Sequence, residues 1–282
     1  MNLPADIKLP YIAYGLFKPN ELAYNQVKEF VEDIPYEIRI NGSIYVRDGL
    51  PLLKIGGSKI LTGYLIKFRE NSSNEAYGKI SKFEPEKHYR WEKYTLNDGS
   101  YANILIGRSP EKASIHFERT EWNSSNDPVF KECLKVIRDI VEISAEIEFK
   151  SSHPDYFDWE RLFKLQMGYL LLWTAIERFC SLNYGPTLGP EKKIRRLGED
   201  NGFKIALMEI VTREHRIYDC RDPENSYNLS SGNSLQSIKY YRQVRHNLSH
   251  RGKATRKDGE IIRLSLIELL KIFESLLKKK YS

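Results

Sequence analysis

The chain has 282 residues, 41% hydrophobic and 29% charged, the balance of a folded globular protein rather than a disordered or collagen-like one. Its 44 basic and 38 acidic residues give a formal charge of +6, and its three cysteines, Cys133, Cys180 and Cys220, are too few and too scattered for a disulfide framework or a zinc knuckle. No apolar run nears the ~18 residues of a membrane span, and the first residues lack the basic and apolar regions of a signal peptide, so a cytoplasmic protein without a membrane partner is expected.

At ~150 residues per domain, this length predicts two domains. Tyr11 to Phe17 is a short apolar, aromatic strand that breaks at Lys18-Pro19-Asn20. Glu21 to Asp33 has helical spacing through Leu22, Val27, Phe30 and Val31 and stops before Pro35. Strands are predicted over 36–40, 43–46, 51–55 and 61–68, parted by Asn41-Gly42, Asp48-Gly49 and Gly56-Gly57 as turn signals. A short helix over 75–83 follows, then strands 89–96 and 101–106 around Asn97-Asp98-Gly99. Many short strands with two short helices predict a small mixed β-barrel domain, of α+β class, over residues 1–120.

The period then changes. Asp127-Pro128 starts a linker helix within 121–154, and residues 155–282 read as an all-α helical bundle. Its helices are predicted over 159–183, 190–198, 203–211, 236–249 and 260–279, with a polar loop at 226–232.

From Lys239 to Lys257 the chain has seven basic residues and no acid, a cluster that suits a polyanion such as RNA. Arg242, Arg251 and Lys253 are its candidate RNA contacts, and a solvated basic helix face is the plainer reading. Within it, Arg245 and His250 stand one and a half turns apart unless the helix ends between them, which Asn-Leu-Ser and Gly252 favour. A guanidinium neutralises a phosphate and the charge that develops on it, and an imidazole moves a proton at neutral pH. Together they serve attack of an RNA 2′-hydroxyl on its own phosphate, with Asn247 orienting phosphate or histidine. His246 points to another face and reads as a surface group, and His88, His116, His153 and His215 lack partners at ligand spacing. Neither metal nor cofactor is expected.

The stretch Arg245-His246-Asn247-Leu248-Ser249-His250 resembles the HEPN superfamily signature, and Glu177 in the upstream helix resembles that family's acidic position. The resemblance covers roughly residues 155–282. It implies a metal-independent ribonuclease, often a toxin or antiviral effector, whose cleft forms between two such domains, so that one domain per chain requires a homodimer. Some relatives instead bind nucleic acid or nucleotides without catalysis.

A second constellation lies in the first half. Tyr14-Gly15-Leu16 places a glycine directly after a strand, and Glu84 follows a short helix, with Tyr89-Arg90 behind it. These segments resemble the γ-glutamylcyclotransferase-like fold over roughly residues 9–108. The resemblance implies a substrate loop at Tyr14, Gly15 and Leu16, and Glu84 as acid/base near Tyr89. Ser81 and Pro85 stand where that family has an acid and a glycine. A small-molecule ligand in this domain is therefore expected, to be sensed or turned over. Three readings stay open: an HEPN-type endoribonuclease with a regulatory first domain, a γ-glutamyl amine cyclotransferase dimerised by its helices, and a non-catalytic RNA-binding protein.

Overall fold

The computed structural model describes residues 1–47, 49–112, 115–124, 127–144, 159–251 and 256–281. The chain forms two compact units, Met1–Asp127 with Ser181–Leu188, and Pro128–Cys180 with Gly189–Ser282. Among the described residues no helix is long and apolar enough to cross a membrane.

The first unit is built on a six-stranded mixed sheet. Its strands are β1 (Tyr11–Ala13), β2 (Tyr36–Arg47), β3 (Leu50–Ile66), β4 (Tyr89–Thr95), β5 (Tyr101–Gly107) and β6 (Ile115–Arg119), in the order β4-β5-β1-β3-β2-β6. Among the described residues β4 and β6 are edges that do not pair with each other, so the expected small barrel is an open sheet. Four of the expected short strands are two long ones, which leaves fewer strands to close a barrel. Asn41-Gly42 is not a turn: β2 runs through it, because a side chain on Gly42 would sit 2.5 Å from the Lys54 carbonyl oxygen of β3. Gly56 and Gly57, both at φ +96°, carry a four-residue excursion of β3 at the same level, where Asn41 pairs with Ile60 and Gly42 with Ile55. The helix expected over 21–33 is two 3₁₀ turns, Leu22–Gln26 and Lys28–Phe30, because Val27 leaves helical geometry at φ −121°. The single α-helix described in this unit, α1 (Ser73–Phe83), buries Ala76, Tyr77 and Ile80 on one face. Tyr11, Tyr77 and Trp91 meet edge-on, with ring centroids 5.4–6.4 Å apart, and tie α1 to β1 and β4.

The second unit contains α2 (Pro128–Ser144), α3 (Trp159–Tyr184, to Cys180), α4 (Pro190–Glu199), α5 (Asn201–Ile210), α6 (Ser234–Arg251) and α7 (Arg256–Tyr281). The expected linker helix lies in this unit as α2, where Phe130 packs 6.2 Å from Phe273 of α7 and Arg138 pairs with Glu274 at 2.6 Å. The unit is not all-α. Strands β7 (His215–Tyr218) and β8 (Ser226–Leu229) form an antiparallel pair, with Ile217 and Leu229 buried. The period-2 pattern is only four residues long, and the polar Ser226 and Asn228 give β8 the look of a loop.

A polar network fixes α6 against its neighbours. Arg213 grips Glu268 of α7 through two bonds of 2.6 and 3.0 Å, and Glu268 accepts from the buried Tyr241 hydroxyl at 3.3 Å. The Tyr240 hydroxyl lies 3.2 Å from His215 Nδ1 and 3.3 Å from Ser265 Oγ, and Tyr169 donates to the Tyr241 carbonyl at 2.9 Å. Burial, then the Arg213 charge, hold the His215 imidazole below its ordinary value, so the folded state favours the neutral ring. The unfolded chain takes up this proton more readily, and the contribution to stability is lost as pH falls from about 6.5. Acidification from pH 7.5 to 5 is therefore expected to lower the melting temperature of the native protein more than that of His215→Asn. Equal pH slopes for the two proteins contradict this.

Candidate functional sites

In the first unit, β1 lies parallel to β5 and antiparallel to β3, and it ends after three residues. Beyond that end the neighbouring strands leave a crevice, the place where mixed and parallel sheets hold ligands. Tyr14, Gly15, Leu16, Glu84 and Tyr89, the five residues singled out in sequence, all line one cavity there, with Tyr11, Pro51 and Leu105. Glu84 takes the extended conformation (φ −92°, ψ 122°) that a following proline imposes, and its amide closes the last turn of α1 on Ile80. Its side chain is buried. Burial first, and the Glu84 charge second, push the Tyr11 and Tyr14 hydroxyls well above the ordinary tyrosine value.

The cavity offers about 10 Å³, room for about one water. Pro51 closes it. A side chain on Gly15 would stand 2.6 Å from Pro51 Cγ, so the glycine admits the β2–β3 end to this position. Tyr89 donates to the Pro51 carbonyl at 2.9 Å, and Arg47 bonds the Ser109 carbonyl at 2.6 Å and that of Arg108 at 3.4 Å. Sequence reasoning missed Tyr11 and Pro51, which line the cavity from expected strands, and Arg47, one residue past the strand expected over 43–46.

In the second unit, Asn233 caps α6 through the Gln236 amide at 3.0 Å, which starts the helix before its expected first residue. The helix then runs unbroken through Asn247-Leu248-Ser249, and no end separates positions 245 and 250. Five residues turn a helix through about 500°, leaving these positions about 140° apart around the axis. Ser249 donates back to the Arg245 carbonyl at 3.1 Å. Arg245 is half-buried, and its guanidinium makes no ion pair or hydrogen bond with the described residues. Arg242, one turn earlier, pairs with Glu191 of α4 at 3.2 Å.

Asn247 is committed within the protein. Its amide donates to the Tyr218 carbonyl at 2.9 Å and accepts from the Cys220 amide at 3.1 Å and from Gln243 at 2.8 Å. It fastens the end of β7 to α6 instead of facing outward with Arg245. The side chains of His250 and Arg251, and the whole of Lys253, lie outside the described residues, as do His153 and the side chain of His116. The Arg213, His215, Glu268 and Tyr240 group escaped sequence reasoning, because its members come from three elements far apart in the chain. The run Arg213-Glu214-His215 before an alternating segment was its one local signal.

No family model and no curated protein matches the chain. Among solved structures it is similar to an uncharacterized protein from Pyrococcus horikoshii, at 18% identity over 50% of this chain and 99% of that one, with a TM-score of 0.30.

Removing the guanidinium in Arg47→Ala takes away two carbonyl contacts, each worth about 1 kcal/mol. The backbone amides of Leu50, Leu52 and Leu53 are expected to exchange with deuterium up to about thirtyfold faster than in the native protein. Unchanged exchange there shows that Arg47 does not hold the strand end over the cavity.

Proposed function

We propose that the helical unit is a metal-independent endoribonuclease of the HEPN type, acting as a homodimer, and that the first unit regulates it through a small molecule at the Glu84 cavity. The observation that carries the reading is the Arg245 guanidinium, uncommitted among the described residues, on a helix held by buried hydrogen bonds. An arginine without an internal acidic partner is available to a phosphate.

Neutral His250 takes the proton of an RNA 2′-hydroxyl, and the 2′-oxygen attacks the adjacent phosphorus. Arg245 stabilises the charge gathering on the phosphoryl oxygens. The P–O5′ bond breaks and the 5′-oxygen takes a proton from an imidazolium, leaving a 2′,3′-cyclic phosphate and a 5′-hydroxyl. The ~140° between the two positions favours a cleft in which Arg245 of one chain works beside His250 of the other across a twofold axis. Asn247 acts as a positioning residue through the β7 end. Arg242, Arg251 and Lys253 contact the RNA backbone.

A second reading is supported by the convergence of five predicted residues on one cavity. Glu84 would then move protons at a γ-glutamyl amine, with the helices serving as a dimerisation module. That substrate needs more room than one water, so it requires Pro51 to move away.

Purified protein is expected to cleave single-stranded RNA in EDTA and leave cyclic phosphate ends, with DNA of the same sequence uncut. His250→Ala and Arg245→Ala should each lower the rate by about 10²–10⁴ without loss of folding. Cleavage that depends on a divalent metal, or an active His250→Ala, contradicts the ribonuclease reading. Turnover of a γ-glutamyl amine, abolished in Glu84→Gln, supports the second.

A further inference from the structure

We propose that α4 and α6 together form a track for the phosphate backbone of a single RNA strand and lead it to Arg245, an inference that rests on the ribonuclease reading and extends it. The starting point is where the charge lies. By sequence, α4 carries four cations and two carboxylates, and α6 carries four cations and no carboxylate. Two helices thus hold a net +6, equal to the formal charge of the whole chain, and the remaining residues balance to zero.

Packing brings these two charged surfaces together. Gly198 of α4 faces Leu235 and Ile238 of α6, where a side chain would stand 2.9–3.0 Å from theirs, and Ser234 Oγ donates to the Gly198 carbonyl at 2.6 Å. At the other end of α4, Glu191 meets Arg242. The helices are therefore antiparallel and close. Helical spacing sets Lys192 and Arg195 on the outer side of α4 next to this seam, with Lys239 and Arg242 on the α6 side. Lys192 and Lys239 are exposed, and the Arg195 side chain is 76% exposed. Lys239, Arg242 and Arg245 succeed one another at about 4.5 Å of helix rise, so the row runs to the proposed site.

The two carboxylates do not cancel the row. Glu199 pairs with Arg195 at 2.9 Å and Glu191 with Arg242 at 3.2 Å, both carboxylates on the open surface, where such pairs contribute little and yield to a phosphate. RNA fits this surface better than an anionic membrane does. A membrane-binding helix turns apolar side chains outward between its cations, whereas Ile194, Leu197, Ile238, Tyr240, Tyr241 and Val244 are all buried.

The test is fluorescence anisotropy of a labelled single-stranded RNA of about 12 nucleotides, titrated with full-length protein in a His250→Ala background across a salt series. The triple variant Lys192→Gln, Arg195→Gln, Lys239→Gln is expected to bind at least tenfold more weakly at low salt. Its slope of log affinity against log salt should be shallower by about 2, at ~0.7 for each lost phosphate contact. Lys204→Gln and Lys271→Gln, on α5 and α7, should leave affinity and slope unchanged, and matching melting temperatures exclude unfolding as the cause. RNA binding that the triple variant leaves intact overturns the track while the ribonuclease reading stands. Absence of both RNA binding and cleavage in the native protein overturns both. Binding to phosphatidylserine vesicles but not to RNA overturns the track as well.

Discussion

Two adjacent tyrosines on α6 decide which way that helix faces. Tyr240 and Tyr241 are both fully buried, and each hydroxyl must find a partner or leave a desolvated polar group worth about 1–3 kcal/mol. Tyr241 meets Glu268, and Tyr240 meets Ser265 and His215. Turning α6 by one residue, about 100°, breaks both sets at once. The Arg213–Glu268 pair, with bonds of 2.6 and 3.0 Å, holds in place the carboxylate that Tyr241 meets. With the rotation fixed, the rest of α6 follows. Asn247 is turned to the end of β7, the seam of Leu235 and Ile238 to α4, and Arg245 to a side without a partner among the described residues.

The first unit reaches a comparable result with backbone constraints. Pro85 forces Glu84 out of the helix, Gly15 lets Pro51 approach, and the shortness of β1 opens the crevice in which both meet. A carboxyl in that position is shielded from water by Tyr11, Tyr14 and Tyr89. Entry of anything larger than a water requires the β2–β3 end to move, which makes the contacts of Arg47 and Tyr89 the natural point of control.

Sequence made the strongly periodic parts legible. Tyr89–Thr95 and Tyr101–Gly107 pair around Asn97-Asp98-Gly99 as their alternation and turn residues require, and α3 ends where Gly185 and Pro186 follow it. The failures have particular causes. Glycines at 42, 56 and 57 look like turns in sequence because a glycine needed for close approach or a bulge gives the same local signal as one needed for a hairpin. Residues 215–218 and 226–229 escaped because four-residue strands with polar outer faces carry too little alternation. The Glu84 cavity is legible by resemblance at five positions, whereas Pro51 reaches it only through the register of β2 with β3. The helix end expected between Arg245 and His250 rested on Gly252, but helical backbone continues to Arg251, and a shared face for the two residues within one chain is lost with it.

That loss makes the assembly of the cleft the central claim. The direct measurement is RNA cleavage by an equimolar mixture of Arg245→Ala chains and His250→Ala chains, after exchange of subunits. Each variant alone is inactive on this account, and activity returns in the mixture, because a mixed dimer carries one intact arginine and one intact histidine across the same cleft. A mixture that stays inactive while the native protein cuts RNA, or a native monomer that cuts RNA unaided, contradicts the account.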